Sequence, residues 1–174
     1  MRRLMLLRHA KTERAEPGGR DRDRKLTKRG RSDASAIGAY MAHHGLAPDL
    51  ALVSPAARTQ ETWTLLAPAF AKAPRARKDE RIYNASPERV IGVIEETGGT
   101  RSLLVIGHNP SLHDVALHLI AAGDVEARER LAEKLPTSGL VVIDFSIDAW
   151  SGLHPRSGRL ERFVTPRLIA AATG

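Results

Sequence analysis

The chain has 174 residues, 42% of them hydrophobic, enough for one well-buried domain and too little for two, so positions 1–174 are expected to form a single domain. Aromatic residues make up only 4%, which makes the core aliphatic, and the lack of cysteine excludes a disulfide framework, zinc–thiolate sites and thiol nucleophiles. A net charge of +7 suits phosphorylated or acidic ligands, but the basic residues are scattered with no interleaved aromatic platform, so nucleic acid is not expected as a partner.

Met1-Arg2-Arg3 precedes the apolar run Leu4 to Leu7, which is too short for the roughly 7 to 15 residues of a secretory core and reads as the first strand. Nothing approaches the roughly 20 apolar residues of a membrane span, so a cytoplasmic protein without membrane contact is expected. Thr27 caps a predicted helix to about His44, ended by Gly45. Leu50 to Val53 is the second strand, and Ser54-Pro55 reads as cap and first residue of a helix to about Phe70. The basic, proline-containing segment Lys72 to Arg77 reads as a surface connection. Ser86-Pro87 opens a helix to about Thr97, ended by Gly98-Gly99, and Ser102 to Ile106 is the next strand. Leu112, Val115, Ala116, Leu119 and Ile120 follow helical spacing, as does Val125 to Leu135. Gly139 to Ile147 and Arg159 to Val164 read as an antiparallel hairpin. The alternation predicts an α/β fold, a mostly parallel sheet with helices on both faces and an antiparallel edge. Trp63 and Trp150 are read as packing anchors, and His43, His44 and His154 as surface residues.

Three strand ends carry polar chemistry. The first strand runs into Arg8-His9, the Leu52-Val53 strand leads into a helix start holding Arg58, and the Leu103 strand ends before His108-Asn109. Ligands of open α/β sheets sit beyond the carboxyl ends of such strands. Two guanidiniums and two imidazoles with no evident carboxylate between them suit a phosphoryl group. Each residue alone has an ordinary alternative: a surface Arg-His pair, a solvated helical arginine, a histidine capping a helix. His108, His113 and His118 are spaced five and five, which drifts around a helix instead of holding one face, so no metal site is expected there.

Five segments in order, Leu7-Arg8-His9-Ala10-Lys11-Thr12, Asp21 to Gly30, Ser54 to Thr62, Ile82-Tyr83-Asn84-Ala85 and Val105 to Pro110, resemble the histidine phosphatase superfamily, which includes the cofactor-dependent phosphoglycerate mutases. The small SixA-type phosphohistidine phosphatases are the nearest likeness. The chain departs from the wider superfamily in having Ala10 where glycine is common, and Lys25 where proline is common. The resemblance implies a phosphoglycerate mutase-like three-layer α/β/α sandwich. It implies a phosphatase needing no cofactor or metal, with His9 as nucleophile and Arg8, Arg58 and His108 gripping the phosphoryl group. Thr12, Lys11, Asn109, Asp21 and Arg24 are further candidate substrate contacts. The larger members supply a glutamate as proton donor near Asp79 to Tyr83, which makes Glu80 the default acid here. A phosphohistidine on a protein is the favoured substrate; small phosphate monoesters or nucleotides, and a non-catalytic phosphate-recognising module, are the alternatives. The short chain leaves little material for a lid, so an open cleft is expected.

Overall fold

The computed structural model describes residues 1–173. Seven strands, β1 (Arg2–Arg8), β2 (Leu50–Val53), β3 (Arg75–Lys78), β4 (Ser102–Gly107), β5 (Ile120–Gly123), β6 (Leu140–Phe145) and β7 (Gly158–Val164), form one sheet in the order β3-β2-β4-β1-β6-β7-β5. Side chains of a strand alternate between faces. Leu4 and Leu6 of β1 accordingly enter one apolar cluster while Met5 and Leu7 enter the other, and β2, β4 and β6 divide their residues in the same way. Burying one such aliphatic side chain stabilises by about 1.5–3 kcal/mol. The four interior positions of β1 are fully buried, so the strand that leads to Arg8-His9 is firmly anchored.

The helices are α1 (Lys28–His43), α2 (Ala57–Leu66), α3 (Pro87–Glu95), α4 (Ser111–Leu119), α5 (Val125–Glu133) and α6 (Pro166–Thr173). α1, α2 and α6 cover the Met5 and Leu7 face, and α3, α4 and α5 cover the Leu4 and Leu6 face, giving the expected three layers. Thr27 and Ser86 cap α1 and α3 by accepting from the amides of Gly30 and Arg89. The sheet is mostly parallel, and its antiparallel pairing lies toward the β7 side, where β6 runs against β1 and β7. β1 sends its connection through α1 toward β2, whereas its neighbour β4 sends its own through α4 toward β5 at the far edge. Adjacent parallel strands whose connections leave in opposite directions open a crevice beyond their carboxyl ends.

Several elements differ from the sequence expectation. Arg75–Lys78, placed in a surface connection, is the edge strand β3, paired parallel to β2; all four residues are exposed, so no apolar alternation marks it. Ile120, read as a helical position, starts the short strand β5 beside β7. α2 begins at Ala57 after an Ala56 cap, because the Ser54 hydroxyl is engaged elsewhere, and it tightens to a 3₁₀ turn at Ala67–Ala69. Asp124 caps α5 by accepting from Ala127, and α6 adds a helix the periodicity did not reveal. Trp150 is an anchor as expected: it is buried edge-on to Phe145 and donates from Nε1 to the Thr100 carbonyl at 2.7 Å. Among the described residues no helix is long and apolar enough to cross a membrane.

Two glycines set how closely α1 approaches its neighbours. A Cβ at Gly30 would fall 2.1 Å from the Lys11 carbonyl oxygen, and one at Gly38 would fall 2.6 Å from that of Leu66. Gly92 in α3, by contrast, has open space around it. Gly38→Ala is expected to lower stability by about 1–3 kcal/mol through overpacking, although alanine is the better helix former. Gly92→Ala should raise stability by about 0.5–1 kcal/mol. Urea denaturation of both variants checks the pair, and equal effects would contradict the close crossing of α1 and α2.

Candidate active site

The register of β1 on β4 builds the site. Arg8 stands opposite Gly107, so the two residues that follow, His9 and His108, emerge side by side, with the His9 amide bonded to the Gly107 carbonyl. Their ring centroids are 5.4 Å apart. Arg58 enters from the first turn of α2. His9, Arg58 and His108 are each only 7–8% exposed, a cleft floor reachable from one side. Arg8, His9, Arg58 and His108 are thus brought together as the spacing predicted.

Hydrogen bonds hold both histidine rings. His9 Nδ1 lies 2.8 Å from the Ala10 carbonyl oxygen. A carbonyl only accepts, so Nδ1 carries the hydrogen and Nε2 keeps its lone pair. His108 Nε2 lies 2.7 Å from Ser54 Oγ, which also accepts from the Ala56 amide. A hydroxyl can donate or accept, so this contact fixes the ring's position, and the ring hydrogen of His108 sits on Nδ1 when the hydroxyl hydrogen is directed to Nε2. Burial, assisted by the Arg58 and Arg8 charges and opposed by the Ala10 hydrogen bond, lowers the pKa of His9 to about 4. Burial and Arg58 lower that of His108 to about 3. Both rings are neutral at physiological pH.

Three buried nitrogens in this cluster have no protein partner: Arg8 Nε and Arg58 Nε, which are donors in any state, and His108 Nδ1. Unsatisfied buried donors are costly and uncommon. Here they lie together beside the paired imidazoles, an arrangement that can accept an anion. Burial and the nearby Arg58 charge also lower the pKa of the Arg8 guanidinium, as expected where two cations face each other without an anion between them.

The remaining candidates fall around this cage. Asp21 bridges its rim: its carboxylate accepts from Arg58 at 3.1 Å, Arg24 at 3.1 Å and Tyr83 at 2.7 Å, while its carbonyl accepts from Arg58 Nη1. The Tyr83 bond, with Arg24 and Arg58, holds the Asp21 carboxyl at about 2. Arg24 donates to the Thr12 hydroxyl at 2.7 Å, which ties Thr12 into the same network. Asn109 donates to the Leu135 carbonyl, which also accepts from Arg8 Nη1, so it braces the loop that carries Arg8's partner. Lys11 is exposed beside the cage. Glu80 is also exposed; both of its oxygens accept from Arg22 and none contacts the four cage residues.

Sequence reasoning missed several supports. Ser54, read as a helix cap, is the partner of His108. Thr62 Oγ1 accepts from the Ala10 amide and donates to the Arg58 carbonyl, joining the two sides of the cleft. Tyr83 packs edge-on to His108, with centroids 5.6 Å apart, and lies under Arg58. The buried Ser138, at φ 58°, donates its amide to the carbonyls of both Arg8 and His9. Serine and threonine carry no local mark of such long-range partners, although Ser54, Thr62 and Tyr83 all lay within recognised segments.

His113 Nε2 is bonded to the Leu131 carbonyl, and no group of three His, Asp or Glu residues among those described could hold a metal ion.

Comparison with known proteins places this geometry. The model of the histidine phosphatase superfamily, branch 1, matches residues 4–89. An uncharacterised protein of Mycobacterium tuberculosis is 38% identical over 165 residues, covering 92% of this chain and all of that one. A crystal structure from Agrobacterium tumefaciens, provisionally named phosphohistidine phosphatase SixA, superposes with a TM-score of 0.81 at 32% identity, covering 95% of this chain and 98% of that one. The protein histidine phosphatase SixA complexed with tungstate shares the fold, with a TM-score of 0.75 at 18% identity over 95% of this chain and 97% of that one. The strand register, the paired histidines and these likenesses agree, and the chain belongs to the histidine phosphatase superfamily as a phosphatase.

Proposed function

We propose that this phosphatase hydrolyses phosphohistidine on a protein by way of a phosphorylated His9. The observation that carries the reading is the cage around a neutral His9, with the Asp21 carboxyl held ionised at its rim and Glu80 bonded to Arg22 outside it. His9 Nε2 attacks phosphorus, and the bond from phosphorus to the substrate imidazole breaks. The departing imidazole takes its proton from water, and the hydroxide left behind is neutralised by the proton that the attacking water of the next step gives up. A second water then attacks the phosphohistidine, releasing phosphate and restoring neutral His9. Charge builds on the equatorial phosphoryl oxygens during both steps, where Arg8, Arg58 and His108 Nδ1–H donate to them.

The state of the carboxylates favours phosphohistidine over a monoester. An alkoxide leaving group needs a proton donor, but Asp21 is held ionised and Glu80 is exposed and tied to Arg22. Imidazole is a far better leaving group and does without one. The likeness to the Agrobacterium protein supports the same substrate class. Within this reading the whole chain acts as one cytoplasmic domain. Thr12, Asp21 and Arg24 hold Arg58 and the cleft rim, Asn109 holds the Arg8 side, and Lys11 faces the incoming substrate.

A phosphohistidine-bearing carrier protein mixed with the enzyme without added metal is expected to release inorganic phosphate, and the His9→Ala variant to release none above the uncatalysed rate. Equal release by both would remove His9 as nucleophile; faster turnover of simple monoesters by orders of magnitude would reverse the substrate assignment. Arg58→Ala should lower kcat by about 10²–10³-fold, the scale of losing a preorganised donor to the transition state, with Arg58→Lys recovering part of it.

The lowered pKa of His9 gives a second test. A histidine with an ordinary pKa is half protonated near pH 6.5, whereas one at about 4 is almost wholly neutral there and gains its proton only as the pH falls toward 4. An NMR titration of the free enzyme should place the His9 midpoint well below 6; a midpoint above 6 would contradict a buried neutral nucleophile.

A further inference from the structure

Beside the cage a second concavity of about 620 Å³ opens between the start of α1, the segment before β6 and the start of α6. Arg8 lines it and so belongs to both spaces. The other cations on its walls are Lys11, Arg29, Arg130, Lys134 and Arg167, all exposed, against a single carboxylate, Asp33. Arg29 lies 4.0 Å from Asp33, and Arg130 lies over the Phe163 ring. Lys11, Lys134 and Arg167 have no ion pair among the described residues. The trough therefore carries a concentrated, largely uncompensated positive charge that adjoins the phosphoryl cage.

We infer that the trough receives an acidic protein surface, so that the preferred substrate carries carboxylates close to its phosphohistidine. This rests on the phosphohistidine reading above. The transferred phosphoryl group is already provided for by the cage, and the trough cations lie outside it, on the side from which Arg8 is approached. They come from the loop after β1, from α1, from α5 and the segment that follows it, and from α6, and they form an open wall instead of an enclosed slot, a shape that suits a partner's surface. Exposed cations facing a partner of opposite charge lower KM and speed encounter, in a manner sensitive to salt, and they do not alter the chemical step.

Two synthetic peptides, each with one phosphohistidine, flanked by four glutamates in one and by four glutamines in the other, test this. Wild type at low ionic strength should favour the acidic peptide by about tenfold in kcat/KM, through KM, and the preference should shrink as salt is added. Lys134→Glu/Arg167→Glu should abolish or invert the preference while turning over the glutamine peptide as wild type does. An equal response to both peptides by wild type, or an unchanged preference in the double variant, would overturn the trough as a docking surface.

If wild type hydrolyses neither peptide, the phosphohistidine reading fails, and the trough is judged by fluorescence anisotropy of a labelled, unphosphorylated glutamate-rich peptide. Binding at least tenfold weaker to the double variant would sustain an acidic partner, and equal binding would overturn it. Pyrophosphate serves as the small-molecule probe. Inhibition of p-nitrophenyl phosphate hydrolysis by pyrophosphate that weakens in the double variant, with no discrimination between the peptides, would overturn the proposal in favour of a second phosphate on a small substrate. Stronger binding of a labelled oligonucleotide than of the glutamate peptide would likewise overturn it.

Discussion

Uncompensated positive charge in a confined space is the constraint on which the site depends. Arg8 and Arg58 both point into a cleft whose floor is nearly buried, and removing charge from water costs several kcal/mol per ion unless a partner offsets it. One carboxylate, Asp21, stands at the rim and bonds Arg58, with Tyr83 and Arg24 fixing it there. It offsets part of the charge and leaves Arg8 Nε, Arg58 Nε and His108 Nδ1 unpartnered. Burial first, and these charges after it, keep both imidazoles neutral. Under the proposed function a dianionic phosphoryl group would partner all three atoms, and the burial that leaves them unpaired also keeps His9 neutral.

That arrangement depends in turn on backbone registration. The parallel pairing that sets Arg8 against Gly107 decides where both histidines emerge, and a slip of one residue would turn Leu6 and Leu7 to the wrong faces. The His9 and Arg8 carbonyls are tied to the Ser138 amide, and the Ala10 amide to Thr62. His9 is therefore held from the β6 side and from α2 as well as by its own strand, which restricts where its Nε2 can point.

Much of this was legible in the sequence, for a reason that can be stated. β1, β2 and β4 are covered on both faces, so their apolar runs are continuous and stop abruptly where polar residues of the site begin. The helix ends with Thr27 and Ser86 caps were equally plain. What escaped detection lies where burial leaves no imprint. β3 is an exposed edge of arginine, alanine and lysine; β5 is a four-residue strand joined directly to a helix. The roles of Ser54, Thr62, Asp21 and Ser138 come from contacts between residues far apart in the chain, and no local pattern announces such pairings. Ser54 shows the difficulty: Ser-Pro before a helix is a sound cap signal, but His108, 54 positions away, takes the hydroxyl.

The distribution of labour between the two halves of the cleft follows from the leaving group. A phosphatase for alkyl esters must supply a proton at the leaving oxygen, and its acid then helps determine which substrates react. Under the proposed function, with Asp21 ionised and Glu80 engaged by Arg22, the chemistry would impose little selection beyond a leaving group that needs no such help. Free phosphohistidine and any exposed phosphohistidine on a protein would satisfy it equally. Discrimination among proteins must then come from surfaces outside the cage, and the surface that shares Arg8 with the cage is the basic one. An undemanding chemical step and a charged approach are two consequences of the same open cleft.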